Sequence, residues 1–225
     1  MIIVTGASRG LGKAIAERLS EKGERVIGLA RSIDSLDVEG IVCDVSDYSS
    51  VKNAARAIKK IGEPVEAVIN AAGVASMNLA VTTNESTVQK LIQTNLVGTI
   101  YCCQLLAPIL LRQKHGSFIN FSTIAVALAL KGESVYAASK AGVEAFSRTF
   151  AREMADFNVR VNCIAPGPIR TDLLRGVTDS QIERIINRQV IQKQFHKSDV
   201  CDLVDLLIDS RASSLSGQIL NIGGV

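Results

Sequence analysis

A short apolar run, Met1-Ile-Ile-Val4, leads directly into Thr5-Gly-Ala-Ser-Arg-Gly-Leu-Gly12 and then into Lys13-Ala-Ile-Ala-Glu-Arg-Leu19. That order reads as strand, glycine-rich turn and helix. The join is restrictive because Gly6, Gly10 and Gly12 let the backbone turn sharply and approach a ligand closely, while the new helix points unpaired N–H groups at any anion there. A pyrophosphate is the natural guest. The spacing is Gly-x-x-x-Gly-x-Gly rather than the common G-x-G-x-x-G, so a plain glycine turn remains open until the rest of the chain is read. Gly6 to Gly10 also satisfies G-x-S-x-G, the nucleophile elbow of serine hydrolases. Such an elbow draws an oxyanion N–H from a loop upstream, and almost none of this sequence precedes Ser8.

Downstream, strand-like apolar runs alternate with helical patterns, the signature of a parallel sheet covered on both faces. Strands are expected at about 25–30, 40–43, 65–69, 117–122, 159–164 and 218–222. Helices are expected at about 47–61, 85–114 with a break near Asn95, 136–157 and 198–209, with a small lid helix starting at Thr178-Asp-Ser180. In the 47–61 helix, Val51, Ala54, Ala55, Ile58 and Ile61 share one face. The expected fold class is α/β, a doubly wound parallel sheet in one domain spanning 1–225, because no linker or charge block divides the chain.

Composition narrows the partners. The 225 residues carry 25 Lys plus Arg against 22 Asp plus Glu, a net charge of +3 that is dispersed and leaves no nucleic-acid footprint. Hydrophobic residues make up 47% of the chain, enough for a sizeable core and for buried subunit surface as well. The five cysteines, at 43, 102, 103, 163 and 201, are irregularly spaced and read as reduced, mostly buried thiols of a cytoplasmic protein. With no C-x-x-C and no clustered His, a metal site is not expected. No basic n-region or uninterrupted membrane-length apolar run is present, so neither secretion nor membrane residence is expected.

Tyr136-Ala-Ala-Ser-Lys140 sets a phenol and an ammonium one helical turn apart. A free phenol, with a pKa near ~10, shuttles protons poorly at neutral pH unless a fixed positive charge stabilises its phenolate. Lys140 can supply that charge. A shift of ~2 to 3 units needs roughly 3 to 4 kcal/mol, which a partly desolvated cleft can provide. The same spacing on an ordinary helix is a solvated face.

Together these features resemble the short-chain dehydrogenase/reductase family across essentially the whole chain. The residues in common are the glycine turn, Asp44-Val45, Asn70-Ala-Ala-Gly73, Asn95, Tyr136-x-x-x-Lys140 and Pro166-Gly167, in the family's order. The resemblance implies a Rossmann-type sheet of seven strands in the order 3-2-1-4-5-6-7, with ligands at its carboxyl edge. It implies a cofactor site made of Gly6, Ser8, Arg9, Gly10, Leu11, Gly12, Arg31, Asp44, Val45, Asn70, Ala71, Gly73, Tyr136, Lys140, Pro166, Gly167, Ile169 and Thr171. Within it, Asp44 would bond the adenine amino group, Asn70 would brace the central strand edges, and 166–171 would line the nicotinamide pocket. Asp44 also reads as a helix-flanking acid before Ser46. The implied catalytic residues are Asn95, Thr123, Tyr136 and Lys140, with Asn95 holding a proton relay at its helix break. Thr123 stands 13 residues before Tyr136, where members usually carry serine. Its hydroxyl can still donate to a carbonyl, although the methyl stiffens χ1. Neighbouring Ser122 should face the other way.

The second strand ends in Ala30-Arg31 rather than in an acid, and Arg9 adds a second cation. A 2′-phosphate wants arginine and is repelled by an acid, so NADP(H) is favoured over NAD(H). Arg31 as an ordinary solvated strand end is the competing reading. The segment from Arg31 to Cys43 is too short for the helix that often joins these strands in the family, so the adenine side should be trimmed. Overall similarity is nearest to 3-oxoacyl-[acyl-carrier-protein] reductases, which implies a ketone or acyl-thioester substrate, a possible acyl carrier protein partner and a homo-oligomer, tetramer or dimer. Helices near 96–114 and 136–157 carry extensive apolar surface, including Tyr101, Leu105, Leu106, Ile109, Phe146 and Phe150, and packing on the sheet uses only one face of each, leaving the rest for a second subunit. Lys114 is the candidate cation for carrier docking, and Asp156-Phe157-Asn158 counts against it. A ketoreductase of a small metabolite or sugar nucleotide is the second reading. A low-activity NADP(H)-binding scaffold or sensor is the third, which the threonine at 123 keeps open.

Overall fold

The computed structural model describes residues 1–174 and 176–225. Its centre is β1 (Ile2–Thr5), every residue of which is buried, as a strand covered on both faces requires. β1 pairs in parallel with β2 (Val26–Ala30) on one side and β4 (Ala67–Asn70) on the other, Ile3 lying opposite both Ile27 and Val68. β3 (Glu39–Val42) flanks β2, while β5 (Gly116–Phe121), β6 (Val159–Ala165) and β7 (Ile219–Asn221) continue beyond β4. The sheet has seven strands in the order 3-2-1-4-5-6-7, all parallel. This is the Rossmann arrangement, and the order reverses between β1 and β4.

Two apolar layers hold it together. On one face α2 (Tyr48–Ile61), α4 (Gly98–Gln113) and α6 (Ser134–Ala155) bury Val51, Ile58, Cys102, Leu106, Leu110 and Phe150 against Ile3, Ile27 and Phe118. On the other, α1 (Gly10–Glu21) and α8 (Lys197–Ile208) bury Ile15, Leu19, Val200, Val204 and Leu207 against Ile2, Val4 and Ile69. Each fully buried aliphatic side chain contributes about 1.5–3 kcal/mol relative to exposure, so these layers dominate the favourable side of folding. The five cysteines are free and buried, four of them within these layers.

Local rules explain the boundaries. Asp47 caps α2 by accepting from Ser49 N–H, and Gly62 ends it in the left-handed region at φ 78°. β2 and β3 are joined without a helix, as the short spacing requires. Leu36 fills the space over Gly28 and Gly40, and Lys13 on α1 ties the connection down through Asp37 at 3.0 Å. The small helix after Thr178 is α7 (Asp179–Ile186), closed by a capping box between Thr178 and Gln181. A one-turn helix, α5 (Ala125–Leu128), was not legible in the sequence.

The long helical pattern from Glu85 has a specific interruption. α3 (Glu85–Leu91) passes into a π-helical stretch, Ile92–Val97, before α4 begins. The continuous segment Glu85–Gln113 is long and apolar enough to cross a membrane by composition. It is a core helix here, because one side lies on the sheet and Asn95 at its middle is fully buried with polar partners.

Between the sheet and α6 runs a chain of buried amide and hydroxyl groups, in which the Asn70 Oδ1 is left without a partner. Asn70 donates to Asn120 at 2.8 Å, and Asn120 donates to Ser147 at 2.9 Å, linking β4, β5 and α6. Asn70 therefore links neighbouring strands. Two expectations are corrected. Leu106 and Phe150 belong to the core and add nothing to the outer apolar face of their helices. Lys114 and Asp156–Asn158 precede β5 and β6, so they lie at the amino edge of the sheet, opposite the carboxyl edge that carries Thr123. They neither help nor hinder docking at that edge.

Candidate active site

Strand ends deliver the site. The turn after β1 is packed so closely that a Cβ on Gly12 would lie 2.3 Å from the Gly6 carbonyl oxygen, and one on Gly6 would lie 2.8 Å from Ala72 Cα. Gly6 and Gly10 also hold positive φ, 69° and 63°. Side chains are thus excluded from a cradle formed by the turn and the Asn70–Gly73 segment, and α1 starts at Gly10 with its N-terminus facing that cradle. A Cβ on Gly10 would meet Thr171 at 4.0 Å, so the glycine turn faces the loop after β6. Between them lies a cavity of about 460 Å³ lined by Gly10, Arg170, Thr171 and Lys197 among others.

The expected cofactor residues divide by what their side chains do. Ser8, Leu11, Ala71, Gly73, Gly167 and Thr171 are partly accessible, whereas Pro166 and Ile169 are buried as the floor of the loop. Val45 and Asn70 turn inward, the first against Gly98 and the second onto Asn120 and Cys103. Only their backbones can face a ligand. Asp44 accepts from the Ser46 amide at 2.9 Å and its hydroxyl at 2.6 Å. Burial works to raise its carboxyl pKa, but the Ser46 bonds and the charge of Arg31 outweigh it and hold the group low. Arg9 and Arg31 are exposed at the ends of β1 and β2.

The π-helical stretch aims Asn95. Its Oδ1 accepts from Val74 N–H at 2.8 Å, and its Nδ2 donates to the Val74 carbonyl at 2.9 Å and to Ser139 Oγ at 3.0 Å. Ser139 in turn donates to the Tyr136 carbonyl at 2.7 Å. The loop after β4 and helix α6 are therefore fixed to one another through a single buried amide. Ser139 escaped the sequence reading, although it stands inside the Tyr-x-x-x-Lys stretch.

Tyr136 and Lys140 are both buried, at 8% and 5% exposure, which removes the solvated-face reading of their spacing. The Thr123 side chain lies beside the Tyr136 hydroxyl, where it favours the phenolate, and its own hydroxyl accepts from Ala125 N–H at 3.2 Å. Ser122 points away, donating to Glu144 at 2.7 Å. Lys140 Nζ donates to the Phe121 carbonyl at 2.8 Å and lies close to Gly73. Burial without a carboxylate partner lowers the Lys140 pKa to about 8. The expected drop in the Tyr136 pKa is not what this arrangement yields. Burial, reinforced by the charge of Glu133, pushes the phenol well above its ordinary value, and the neighbouring Thr123 hydroxyl offsets only part of that. Among the described residues no cluster of metal-binding side chains occurs.

A doubly wound parallel sheet with a glycine cradle at its switch point, and a buried Tyr–Lys pair beside it, is the architecture of a Rossmann-type oxidoreductase. The short chain dehydrogenase profile matches residues 1–182. The chain belongs to that family. It is 29% identical over 231 residues to the 3-oxoacyl-[acyl-carrier-protein] reductase of Escherichia coli strain K12, covering 99% of this chain and 95% of that one. The reductase of the same name from Staphylococcus epidermidis is 31% identical over 235 residues, covering 99% and 96%. Among solved structures, ligand-free Thermoplasma acidophilum aldohexose dehydrogenase superposes with a TM-score of 0.89 at 29% identity, covering 99% of this chain and 92% of that one.

The buried cation gives a test of the site's electrostatics. A folded-state pKa of about 8 against an ordinary 10.5 means that the unfolded chain holds more protons between those values, so folding becomes more favourable as pH rises through that window. Below pH 8 the full cost of burying the charge is present. The stability difference between wild type and Lys140→Met, measured by urea unfolding, should shift by about 3 kcal/mol in favour of wild type between pH 8 and 10.5. A difference independent of pH would show that Lys140 is solvated.

Proposed function

We propose that the protein is an NADP(H)-dependent ketoreductase that reduces a ketone of the 3-oxoacyl type to a secondary alcohol. The observation that carries this is the buried Tyr136–Lys140 pair on α6, with the Thr123 hydroxyl beside the phenol at the carboxyl edge of β5. The glycine cradle fits a dinucleotide, because Gly6 and Gly12 let the turn pack tightly on its own backbone while Gly10, at the start of α1, opens onto the cavity shared with Thr171. Gly6 to Gly12 would hold the pyrophosphate, Asp44 the adenine, Lys140 the nicotinamide ribose, and Pro166 to Thr171 the nicotinamide itself. Arg9 and Arg31 supply cations where a 2′-phosphate would sit, which is the basis for choosing NADP(H) over NAD(H). Bound NADPH would supply the hydride.

The protein's own residues handle the proton. Thr123 donates a hydrogen bond to the substrate carbonyl oxygen, and Tyr136 passes its phenolic proton to that oxygen as negative charge develops. The high resting pKa of Tyr136 keeps it protonated and ready to donate. Lys140, released from Phe121, stabilises the phenolate left behind, and the Asn95–Ser139 bond holds the helix in the position this transfer needs. Burial suits this work, since electrostatic contacts strengthen where water is excluded.

The similarity to enzymes named 3-oxoacyl-[acyl-carrier-protein] reductase supports an acyl-thioester substrate, with an acyl carrier protein as a possible partner. The likeness to aldohexose dehydrogenase supports, as a second reading, a small hydroxylated carbonyl compound. Balanced charge and buried reduced thiols support a cytoplasmic location. Tyr101, Leu105, Ile109 and Phe146 leave apolar surface on the outer sides of α4 and α6 that a second subunit would cover, so the protein is a homo-oligomer, tetramer or dimer.

NADPH oxidation with a β-ketoester or an acetoacetyl thioester tests the reaction, and the absence of turnover with binding intact would leave a cofactor-binding sensor. Tyr136→Phe should lose the most activity. Thr123→Ala should lower kcat by about tenfold to a hundredfold with little change in NADPH affinity, and Thr123→Ser should retain or raise it. Equal rates in wild type, Thr123→Ala and Thr123→Ser would move the carbonyl contact elsewhere. Arg31→Ala should weaken NADPH binding by roughly tenfold to a hundredfold while sparing NADH. Equal use of both cofactors by the wild type would remove the argument from Arg9 and Arg31. Light scattering at micromolar concentration should give a multiple of the 24.0 kDa chain mass, and a monomer would end the oligomer proposal.

A further inference from the structure

Among the described residues, Glu133 is the carboxyl that acts on the Tyr136 phenol and that the proton chemistry leaves unused; the other unused group beside the pair, Cys163, is a buried thiol acting on Lys140. It directly precedes α6, and positions 133, 136 and 140 follow the i, i+3, i+7 spacing that places side chains along one face. That face carries the tyrosine and lysine of the cleft. The Glu133 side chain is 5% exposed, and its charge acts on the Tyr136 phenol.

Its backbone is satisfied, the N–H donating to the Leu130 carbonyl at 3.3 Å and the carbonyl accepting from Ala137 N–H at 2.6 Å. The carboxyl has no protein partner among the described residues, and its oxygens are not sealed from solvent. It makes no capping bond to the first turn of α6, the usual employment of an acid at this position, and no ion pair among the described residues. Lys131, two residues before it, is exposed, and Lys140 is bonded to Phe121. Buried acids are almost always paired, so an unpaired one on the face of a reactive tyrosine marks a place kept for a ligand group.

We propose that Glu133 is a specificity-determining residue that accepts a hydrogen bond from a hydroxyl group carried by the carbonyl substrate, so that the preferred substrates are hydroxylated ketones. This rests on the ketoreductase reading above and, within it, favours the small hydroxylated carbonyl compounds of the second reading over a 3-oxoacyl thioester. A hydroxyl is the complementary donor because it can pair with the carboxyl whether that group is ionised or protonated, and burial, which raises the Glu133 pKa to about 7, leaves both forms present near neutral pH. An alkyl group in the same position would leave the carboxyl unpaired, and a site built to bond a hydroxyl discriminates strongly against the analogue lacking it.

Matched pairs that exchange one hydroxyl for a methyl provide the test: hydroxyacetone against 2-butanone, and 4-hydroxy-2-butanone against 2-pentanone. With NADPH, wild type should favour the hydroxylated member of at least one pair by about tenfold or more in kcat/KM. Glu133→Leu should bring that ratio towards one. Glu133→Gln, which keeps an acceptor oxygen, should retain part of it and guards against a folding defect in the leucine variant. The same ratio in wild type and Glu133→Leu overturns the inference. Binding of each pair to protein loaded with NADP⁺, where no reduction can occur, separates this failure from that of the ketoreductase reading. A Glu133-dependent hydroxyl preference in binding without turnover under NADPH would sink the ketoreductase reading alone, whereas equal binding by both proteins would overturn the role of Glu133.

Discussion

Everything in this molecule depends on β1 being paired on both sides by parallel neighbours. A strand buried on both faces and both edges must be apolar and short, and Ile2 to Thr5 meet that demand. Crossover connections of the preferred hand put α1, which leads to β2, on one face and α4 and α6, which lead to β5 and β6, on the other, whereas α8, between β6 and β7, packs beside α1. Where the direction of winding changes, between β1 and β4, no helix covers the carboxyl ends of the strands. The crevice follows from topology, and the glycine turn and the Asn70–Gly73 segment form its walls because they leave those two strands.

The second determinant is the buried amide of Asn95. An α-helix with regular geometry from Glu85 to Gln113 would carry that side chain at a different angle to the sheet. The π-helical stretch changes its direction so that it bonds both the loop after β4 and Ser139 on α6. Helix α6 then presents Tyr136, Lys140 and Glu133 to the cleft. Two of these groups, Lys140 and Glu133, are buried without a charge partner, contrary to what stability alone favours. Local violations of that kind concentrate at functional sites, and the surrounding core offsets their cost. Elsewhere the buried polar groups of Asn70, Asn120 and Ser147 are joined in one chain of bonds.

The alternation of apolar runs and amphipathic helices made the α/β class, the strand sequence and most boundaries legible, because burial on both faces writes a continuous apolar signal and helical packing writes a periodic one. The glycine turn, Asn95, Thr123, Tyr136 and Lys140 were legible through their order along the chain. The inward turn of Val45, the engagement of Lys140 with Phe121 and the direction of the Tyr136 shift were not, since each depends on groups distant in sequence. Glu133 shows the limit well: an acid three residues before the tyrosine is visible in the sequence, but its want of a partner appears only once the elements around it are in place.

What the sequence by itself determined is the set of local conformations, which arise from contacts within a turn or along a strand: where glycine permits a left-handed backbone, where Asp47 and Thr178 start helices, and which runs must be buried. What only the tertiary structure decided is the chemistry of the site. A pKa is set by desolvation and by the charges within a few ångströms, and those come together at the carboxyl edge from β4, β5, α6 and the loop after β6. Chain order cannot specify that environment, because the same tyrosine and lysine spacing on an exposed helix would carry ordinary, solvated groups.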